Sequence, residues 1–220
     1  MAALLDQRKR LPLTLVARTN LLAPTAWGYE FWRARALSLL SGRRFPLEEE
    51  LARMIEAVEP VAGNTFLDLG TSTGLYARAL LRAGAAKVYG LDLSPAMLQE
   101  AMRKARGHPG FAPLLARAEA IPLPADLLDG IVIGGSWNEF ADPEVIVREM
   151  QRVLKPGGRV WIMFTHRSSS LVQHLFARSG LRFPLLEEVV SLLQRYDFQV
   201  KGWQEKSVGF VAGAMIGIGE

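Results

Sequence analysis

Residues 66–74 read Phe-Leu-Asp-Leu-Gly-Thr-Ser-Thr-Gly, and a second apolar run ends at Asp92. The first four residues predict a short buried strand, and the small residues after them predict a tight turn. Glycine at such a turn lets the backbone bend sharply and approach a ligand without a Cβ clash. In an open parallel sheet, ligands bind beyond the carboxyl ends of the strands. The turn 70–74 and Asp92 are therefore expected to lie at the same edge of a sheet.

The composition excludes several classes of protein. Of the 220 residues, 50% are hydrophobic and 22% are charged, which is ordinary for one globular domain with an extension. The chain has no cysteine, which rules out disulfides and thiolate metal sites. His108, His166 and His174 share no metal-ligand spacing, so we expect no metal. No run approaches the roughly 20 apolar residues of a membrane span, and Arg18 interrupts the N-terminal apolar run. We expect a cytoplasmic protein without a membrane span, for which peripheral membrane contact stays open.

Strands and helices alternate from residue 64 onward. The patterns predict strands at 65–69, 87–91, 111–118, 130–133, 159–165, 198–203 and 208–214, and helices at 46–58, 75–82, 95–106, 143–154 and 185–196. This alternation is typical of a parallel sheet covered on both faces, while the last two strands have no helix between them and must pair antiparallel. The expected fold is α/β: a Rossmann-like, doubly wound, mostly parallel seven-stranded sheet with a C-terminal antiparallel hairpin and an N-terminal helical layer.

The chain divides into an N-terminal extension, residues 1–45, and a main domain, residues 46–220. The extension carries eight Lys and Arg against Asp6 and Glu30, so its net charge is +6 while the remainder is −2. Its segment 21–32 is rich in aromatic residues, among them Trp27 and Tyr29. We expect this extension to be a helical and aromatic layer that folds over the site as a lid.

The turn itself discriminates between two kinds of nucleotide site. A dinucleotide site requires Gly-x-Gly-x-x-Gly, but Ser72 and Leu75 stand where its second and third glycines belong. Asp68, Gly70, Ser72 and Gly74 instead fit the pattern Asp-x-Gly-x-(Gly/Ser)-x-Gly. An acid at the position of Asp92 can accept hydrogen bonds from both hydroxyls of a ribose. The residues thus favour a nucleoside with a free ribose over a dinucleotide.

Four segments in this order resemble class I S-adenosylmethionine-dependent methyltransferases. They are Phe66-Leu67-Asp68-Leu69-Gly70-Thr71-Ser72-Thr73-Gly74, Gly90-Leu91-Asp92-Leu93-Ser94-Pro95-Ala96-Met97-Leu98, Ala118-Glu119-Ala120-Ile121-Pro122-Leu123-Pro124 and Val153-Leu154-Lys155-Pro156-Gly157-Gly158. Each is weak alone, but the four in this order and spacing are a strong signal. The resemblance extends from about residue 46 to 165 and implies S-adenosyl-L-methionine as cofactor, with S-adenosyl-L-homocysteine as product.

By this resemblance the cofactor-binding residues are Asp68, Gly70, Thr71, Ser72, Thr73, Gly74, Asp92, Leu93, Met97, Ala118, Glu119 and Gly134. Asp68 and the turn would hold the methionine part, and Asp92 would bind the ribose. Leu93 and Met97 would flank the adenine, with Ala118 and Glu119 at its edge. The family often has an acid just before that small residue, but this chain has Arg117, for which a backbone group or Glu119 could substitute.

The acceptor is expected over the ends of the fourth and fifth strands. Trp137 offers a flat apolar wall and Asn138 a polar orienting group, although Trp137 could equally be a core residue. His166 follows the fifth strand and could take a proton from a phenol-like or enolic acceptor. Trp27 and Tyr29 complete the expected substrate residues. The Asn-Pro-Pro-aromatic segment of enzymes that methylate amide or adenine-type nitrogens is absent from the sequence.

The sequence predicts an enzyme that transfers a methyl group to a small, hydrophobic or aromatic acceptor by in-line displacement, of the kind that includes quinone-ring methylation. One alternative is an RNA or protein methyltransferase that docks through the basic N-terminal arm. Another is a non-catalytic S-adenosylmethionine-binding module, which Arg117 and the lack of a clear base support. A small-molecule acceptor is preferred to nucleic acid because no RNA-binding module is visible, and the oligomeric state stays open.

Overall fold

A computed structural model describes residues 46–169 and 171–216. The N-terminal extension, with the predicted lid residues Trp27 and Tyr29, lies outside the described residues. Within them, no helix is long and apolar enough to cross a membrane.

Seven strands and six α-helices are found in the described part of the chain. In order they are α1 (Leu47–Ala57), β1 (Thr65–Leu69), α2 (Leu75–Arg82), β2 (Lys87–Asp92), α3 (Pro95–Lys104), β3 (Phe111–Leu115), β4 (Leu128–Gly134), a 3₁₀ helix (Ser136–Glu139), α4 (Pro143–Val153), β5 (Leu154–Thr165), α5 (Leu171–Ala177), α6 (Leu186–Gln194), β6 (Phe198–Glu205) and β7 (Val208–Met215).

The seven strands form one sheet with the order β3-β2-β1-β4-β5-β7-β6. The first five strands are parallel to their neighbours, whereas β7 runs antiparallel to both β5 and β6. The Rossmann-like, mostly parallel seven-stranded sheet with an antiparallel C-terminal hairpin is confirmed. The chain winds outward from β1 to β3 and then resumes on the other side at β4, so strand order reverses between β1 and β4.

Both faces of the sheet are covered, because successive side chains of a strand point to opposite faces. Leu67 and Leu69 of β1 belong to a core with α4 and α6, whereas Phe66 belongs to a second core with α1 and α2. Fully buried side chains such as Trp161 and Phe210 fill the second core. The parallel strands therefore read as nearly continuous apolar runs.

Two helix starts next to the site follow from local sequence. Ser94 accepts a hydrogen bond from Met97 N at 3.2 Å and Pro95 follows it, while Asp142 accepts one from Val145 N at 3.3 Å before Pro143. Such caps satisfy amides that have no partner within the helix. They fix where the chain turns after β2 and after the segment that follows β4.

Two features of the fold differ from the sequence prediction. β5 begins at Leu154 rather than at Arg159, because Leu154 already pairs with Leu128 and the register then shifts before Gly130. The segment 155–158, which separates the predicted helix from the predicted strand, is thus an irregularity inside β5. Helix α5 and the 3₁₀ helix were not predicted, since both are too short for a helical period to show in the sequence.

Candidate active site

The site lies at the carboxyl ends of β1, β2 and β4, where strand order reverses. A cleft at such a switch point is the usual ligand site of an open α/β sheet. Its two halves touch where the turn after β1 meets the segment after β4, since Ser136 Oγ donates a hydrogen bond to Leu69 O at 2.9 Å. A Cβ at Gly70 would lie 2.4 Å from that Oγ, so glycine is required for this close contact.

The turn 70–74 contains three residues with left-handed backbone. The φ angles are 76° at Gly70, 48° at Ser72 and 77° at Gly74. Glycine adopts this conformation freely, but Ser72 pays roughly 1–2 kcal/mol in steric energy. This explains physically why the pattern prefers glycine at the position of Ser72. The turn leads into the first turn of α2, and its own amides hold it in place: Gly70 N and Thr71 N donate to Leu91 O, each at 2.9 Å, and Gly74 N donates to Thr71 O at 2.8 Å.

Asp68 lies beneath the turn. Its side chain is 2% exposed, and Oδ2 accepts hydrogen bonds from Thr71 Oγ1 at 2.6 Å and from Ala77 N at 3.0 Å. Thr71 and Thr73 are also buried, at 4% and 1% exposed. Asp68 therefore holds the turn to the start of α2, and its contacts are those of a positioning residue rather than of a direct ligand.

Asp92 at the end of β2 lies beside the same turn. Its carboxylate accepts hydrogen bonds from Ser72 N at 2.8 Å and from Ser94 N at 2.9 Å. Burial raises the pKa of Asp92, and the hydrogen bonds from the backbone of Ser94, Ser72 and Leu93 oppose this effect. Asp92 is thus a partly desolvated acid that connects the first two motifs of the sequence.

Glu139 is a second acid near Asp92, and its place before α4 in the sequence would equally suit a helix cap. It ends the 3₁₀ helix after β4, and the cap of α4 is Asp142 instead. Burial and then the nearby charge of Asp92 raise the pKa of Glu139 to about 7. No residue in the described part of the chain pairs with its carboxylate. A pattern search could not find it, because the sequence does not show which of residues 136–139 faces the cleft.

The two acids make the cleft favourable for a cation. A ligand with positive charge, such as a sulfonium, is attracted by ionised Asp92 and Glu139. The close turn at Gly70 and the acid at the end of β2 together fit a nucleoside that carries a positive charge.

The residues expected around the adenine differ in accessibility. Leu93 is partly exposed, but Met97 is only 1% exposed and supports the site from below. Ala118 is 8% exposed, and Glu119 accepts a hydrogen bond from Arg117 Nη2 at 3.0 Å. Glu119 therefore balances the positive charge of Arg117. This balance lessens the electrostatic difference between Arg117 and the acid that the family often has at this position.

Gly134, at the end of β4, serves packing. A Cβ there would lie 2.8 Å from the ring of Tyr76. That ring is buried at 3% exposed, and its hydroxyl donates to the buried carboxylate of Glu50 on α1. Gly134 thus contributes to the site by letting α2 lie close to the sheet.

Asn138 is a clamp between three segments. Its Nδ2 donates to Thr165 O at 2.9 Å and to Arg182 O at 2.6 Å, while Oδ1 accepts from Thr165 N at 2.8 Å. The side chain is 5% exposed. Because these bonds use both amide hydrogens and the oxygen, Asn138 fixes the end of β5 and the chain at Arg182 and has no free donor for an acceptor.

Trp137 lies inside the core between the sheet, α4 and α6. It is 2% exposed and meets Phe140 edge to face at 6.0 Å between ring centroids. A cavity of about 400 Å³ beside it is lined by residues that include Asp142, Arg182 and Val189. The sequence left open whether Trp137 forms a wall for the acceptor or a part of the core. Its packing is that of a core residue.

His166 follows β5 directly. Its backbone N donates to Ser207 O at 2.8 Å, and the side chain is 8% exposed. The ring Nδ1 lies 2.7 Å from Arg167 O, and because a carbonyl only accepts, this nitrogen carries the hydrogen. In the neutral ring Nε2 then holds the lone pair that a base requires.

Comparison with known proteins agrees with the fold and the motifs. Residues 67–162 match the family described as a methyltransferase domain. The demethylmenaquinone methyltransferase of Thermus thermophilus is 38% identical over 113 residues, which is 50% of this chain and 51% of that protein. The malonyl-[acyl-carrier protein] O-methyltransferase of Alcanivorax borkumensis is 40% identical over 98 residues, which is 44% of this chain and 33% of that protein.

A crystal structure of an S-adenosylmethionine-dependent methyltransferase from Aquifex aeolicus superposes with a TM-score of 0.64. It is 21% identical in sequence and covers 76% of this chain and 90% of that chain, so it shows the shared fold.

The fold and the site define an α/β domain that binds a nucleoside at the carboxyl edge of its sheet. The matched residues 67–162 are those of a methyltransferase domain, and the fold and motifs support a class I S-adenosylmethionine-dependent methyltransferase, for which S-adenosylmethionine is the cofactor. The chain spans about half or less of the length of the first curated relatives that it matches.

Proposed function

We propose that the protein transfers a methyl group from S-adenosylmethionine to a small, hydrophobic or aromatic acceptor. The observation that carries the proposal is the pairing of two partly desolvated acids, Asp92 and Glu139, with a turn that needs left-handed backbone. An acidic cleft of this shape suits a cationic nucleoside. The match to methyltransferase domains supports the same reaction.

The proposed cofactor contacts follow from the geometry. Asp92 would accept hydrogen bonds from the ribose hydroxyls, and the turn 70–74 would hold the methionine part. Leu93 and Ala118 would contact the adenine. The sulfonium supplies an already activated methyl group, so the protein has only to align the acceptor and exclude water.

If the atom that receives the methyl group carries a proton, two side chains are proposed to take up that proton. Glu139 lies at the cleft and, with a pKa of about 7, is poised to exchange a proton near neutral pH. His166 has its Nδ1 hydrogen held by Arg167 O, which leaves Nε2 as the basic atom. Asn138 and Asp68 are proposed as positioning residues for this arrangement.

The acceptor is proposed to be a ring of the quinone type. One similar protein is described as a demethylmenaquinone methyltransferase, which supports this class of acceptor. Trp27 and Tyr29 of the N-terminal extension are proposed to contact the acceptor. The protein is proposed to be cytoplasmic.

Calorimetric titration with S-adenosylhomocysteine tests the binding half of the proposal. Asp92→Asn should weaken binding about tenfold or more, since losing a charged hydrogen-bond partner costs on the order of 1–3 kcal/mol. Asp126→Asn, an exposed Asp whose left-handed backbone suits Asn, should bind like the wild type. No heat of binding at millimolar ligand would refute the proposal.

Labelled S-adenosylmethionine with a hydroquinone tests the transfer half. Incorporation of label into the ring is expected. Tight cofactor binding without transfer to any small molecule of a cell extract would instead favour a non-catalytic module, and label found in RNA or protein would favour the macromolecular alternative.

A further inference from the structure

Helix α5 has its apolar face turned outward. Leu171 is 84% exposed, Leu175 is 65% exposed and Phe176 is 37% exposed. A helix at the surface of a globular protein ordinarily turns such residues toward the core. Among the exposed large hydrophobic residues of the described chain, these three lie within six consecutive positions.

The inward face of the same helix is anchored by a polar side chain. Gln173 is 3% exposed; its Oε1 accepts from Ser168 N at 2.8 Å, and its Nε2 donates to His166 O at 2.9 Å. At 100° per residue, positions two before and two after Gln173 lie opposite it on the helix. Leu171 and Leu175 therefore point outward because Gln173 holds the helix to the end of β5.

The stretch of chain that contains this helix is basic. The 21 residues from 166 to 186 contain Arg167, Arg178 and Arg182 and no acidic residue. Arg178 and Arg182 are exposed, while Arg167 pairs with Glu188 of α6. Positive charge that borders an exposed apolar face is typical of segments that lie in the interface of an anionic membrane.

We propose that α5 is a membrane-docking helix, which inserts Leu171 and Leu175 into the surface of an anionic lipid bilayer while Arg178 and Arg182 contact lipid phosphates. Charge complementarity favours an anionic lipid surface over a second copy of this chain, since a copy would bring the same arginines together. The docking needs no cofactor, so it goes beyond the proposed reaction and stands or falls separately from it.

Co-sedimentation of the full chain with vesicles tests this proposal. Binding is expected to vesicles of phosphatidylcholine with phosphatidylglycerol, and it should weaken on removing the anionic lipid or raising salt. Leu171→Ser with Leu175→Ser should weaken binding about tenfold or more, because both apolar side chains leave the contact. Leu115→Ser, which changes a leucine 62% exposed on edge strand β3, is the matched control and should bind like the wild type.

Circular dichroism and the melting temperature of each variant verify folding. Substitutions at these surface positions should leave both measurements unchanged. Vesicle binding by the double variant at the level of the wild type would overturn the proposal. So would no binding of the wild type to any vesicle. A wild-type dimer that the double variant alone converts to monomer, with vesicle binding unaltered, would assign this face to a second copy instead.

Discussion

At the scale of the residue, the site depends on acids held out of water. Asp92 ends β2 and Glu139 lies in the 3₁₀ helix after β4, and the charge of Asp92 raises the electrostatic cost of ionising Glu139. Ser72 adds backbone strain at the same place. Such local costs are usual where a protein is shaped for a ligand rather than for its own stability.

Replacement of Glu139 measures this cost. The pKa of Glu139 in the fold, about 7, is raised above its ordinary value of 4.5, so its contribution to stability is full below pH 4.5 and is lost as the pH rises through 7. Glu139→Gln, which stays neutral, should therefore raise the free energy of unfolding at pH 8 by up to about 3 kcal/mol and change it little at pH 4.5. Urea unfolding at the two pH values checks this. An equal effect at both would contradict the assignment.

At the scale of the element, the sequence predicted the helix starts and turns that neighbouring residues determine. Ser94-Pro95 and Asp142-Pro143 begin helices as expected, and the turn 70–74 and Asp92 lie together at the cleft. Helix α5 and the true start of β5 depend on tertiary pairing, through Gln173 and through Leu128. Likewise, nothing local shows that Asn138 is bonded on every side while its neighbour Glu139 faces the cleft.

The Asn138 clamp should be measurable. Asn138→Ala removes two buried hydrogen bonds to Thr165 and one part-buried hydrogen bond to Arg182, and it leaves their backbone groups without these partners, which should cost about 2–4 kcal/mol of unfolding free energy. Asn64→Ala removes one exposed hydrogen bond to Pro60 O and should cost less than about 1 kcal/mol. Chemical denaturation of both variants makes the comparison; equal losses would show that the clamp does not hold the segments.

At the scale of the whole molecule, the cleft is built from both halves of the sheet, and the core on each face of the sheet spans both halves. A ligand that contacts the turn after β1 and the segment after β4 must therefore favour the fully folded domain over any partly open form.

This coupling predicts a thermal shift. S-adenosylhomocysteine at about 100 times its dissociation constant should add roughly 3 kcal/mol of stability, which is roughly 5–10 °C in melting temperature for a chain of this size. Differential scanning calorimetry measures the shift. Asp92→Asn should reduce it at the same ligand concentration, and a shift equal to that of the wild type would contradict the role of Asp92.

The Asn138 clamp also bears on how such a protein can change its specificity. Because one side chain fastens the end of β5 and the chain at Arg182 through backbone atoms, these two ends stay fixed when side chains of the intervening segment other than His166 and Gln173 are changed. A segment from a related enzyme could be grafted between these two fixed points while the cofactor half of the cleft keeps its shape. Exchange of this segment would then change the acceptor preference, in evolution or by engineering, without a change in the cofactor half of the cleft.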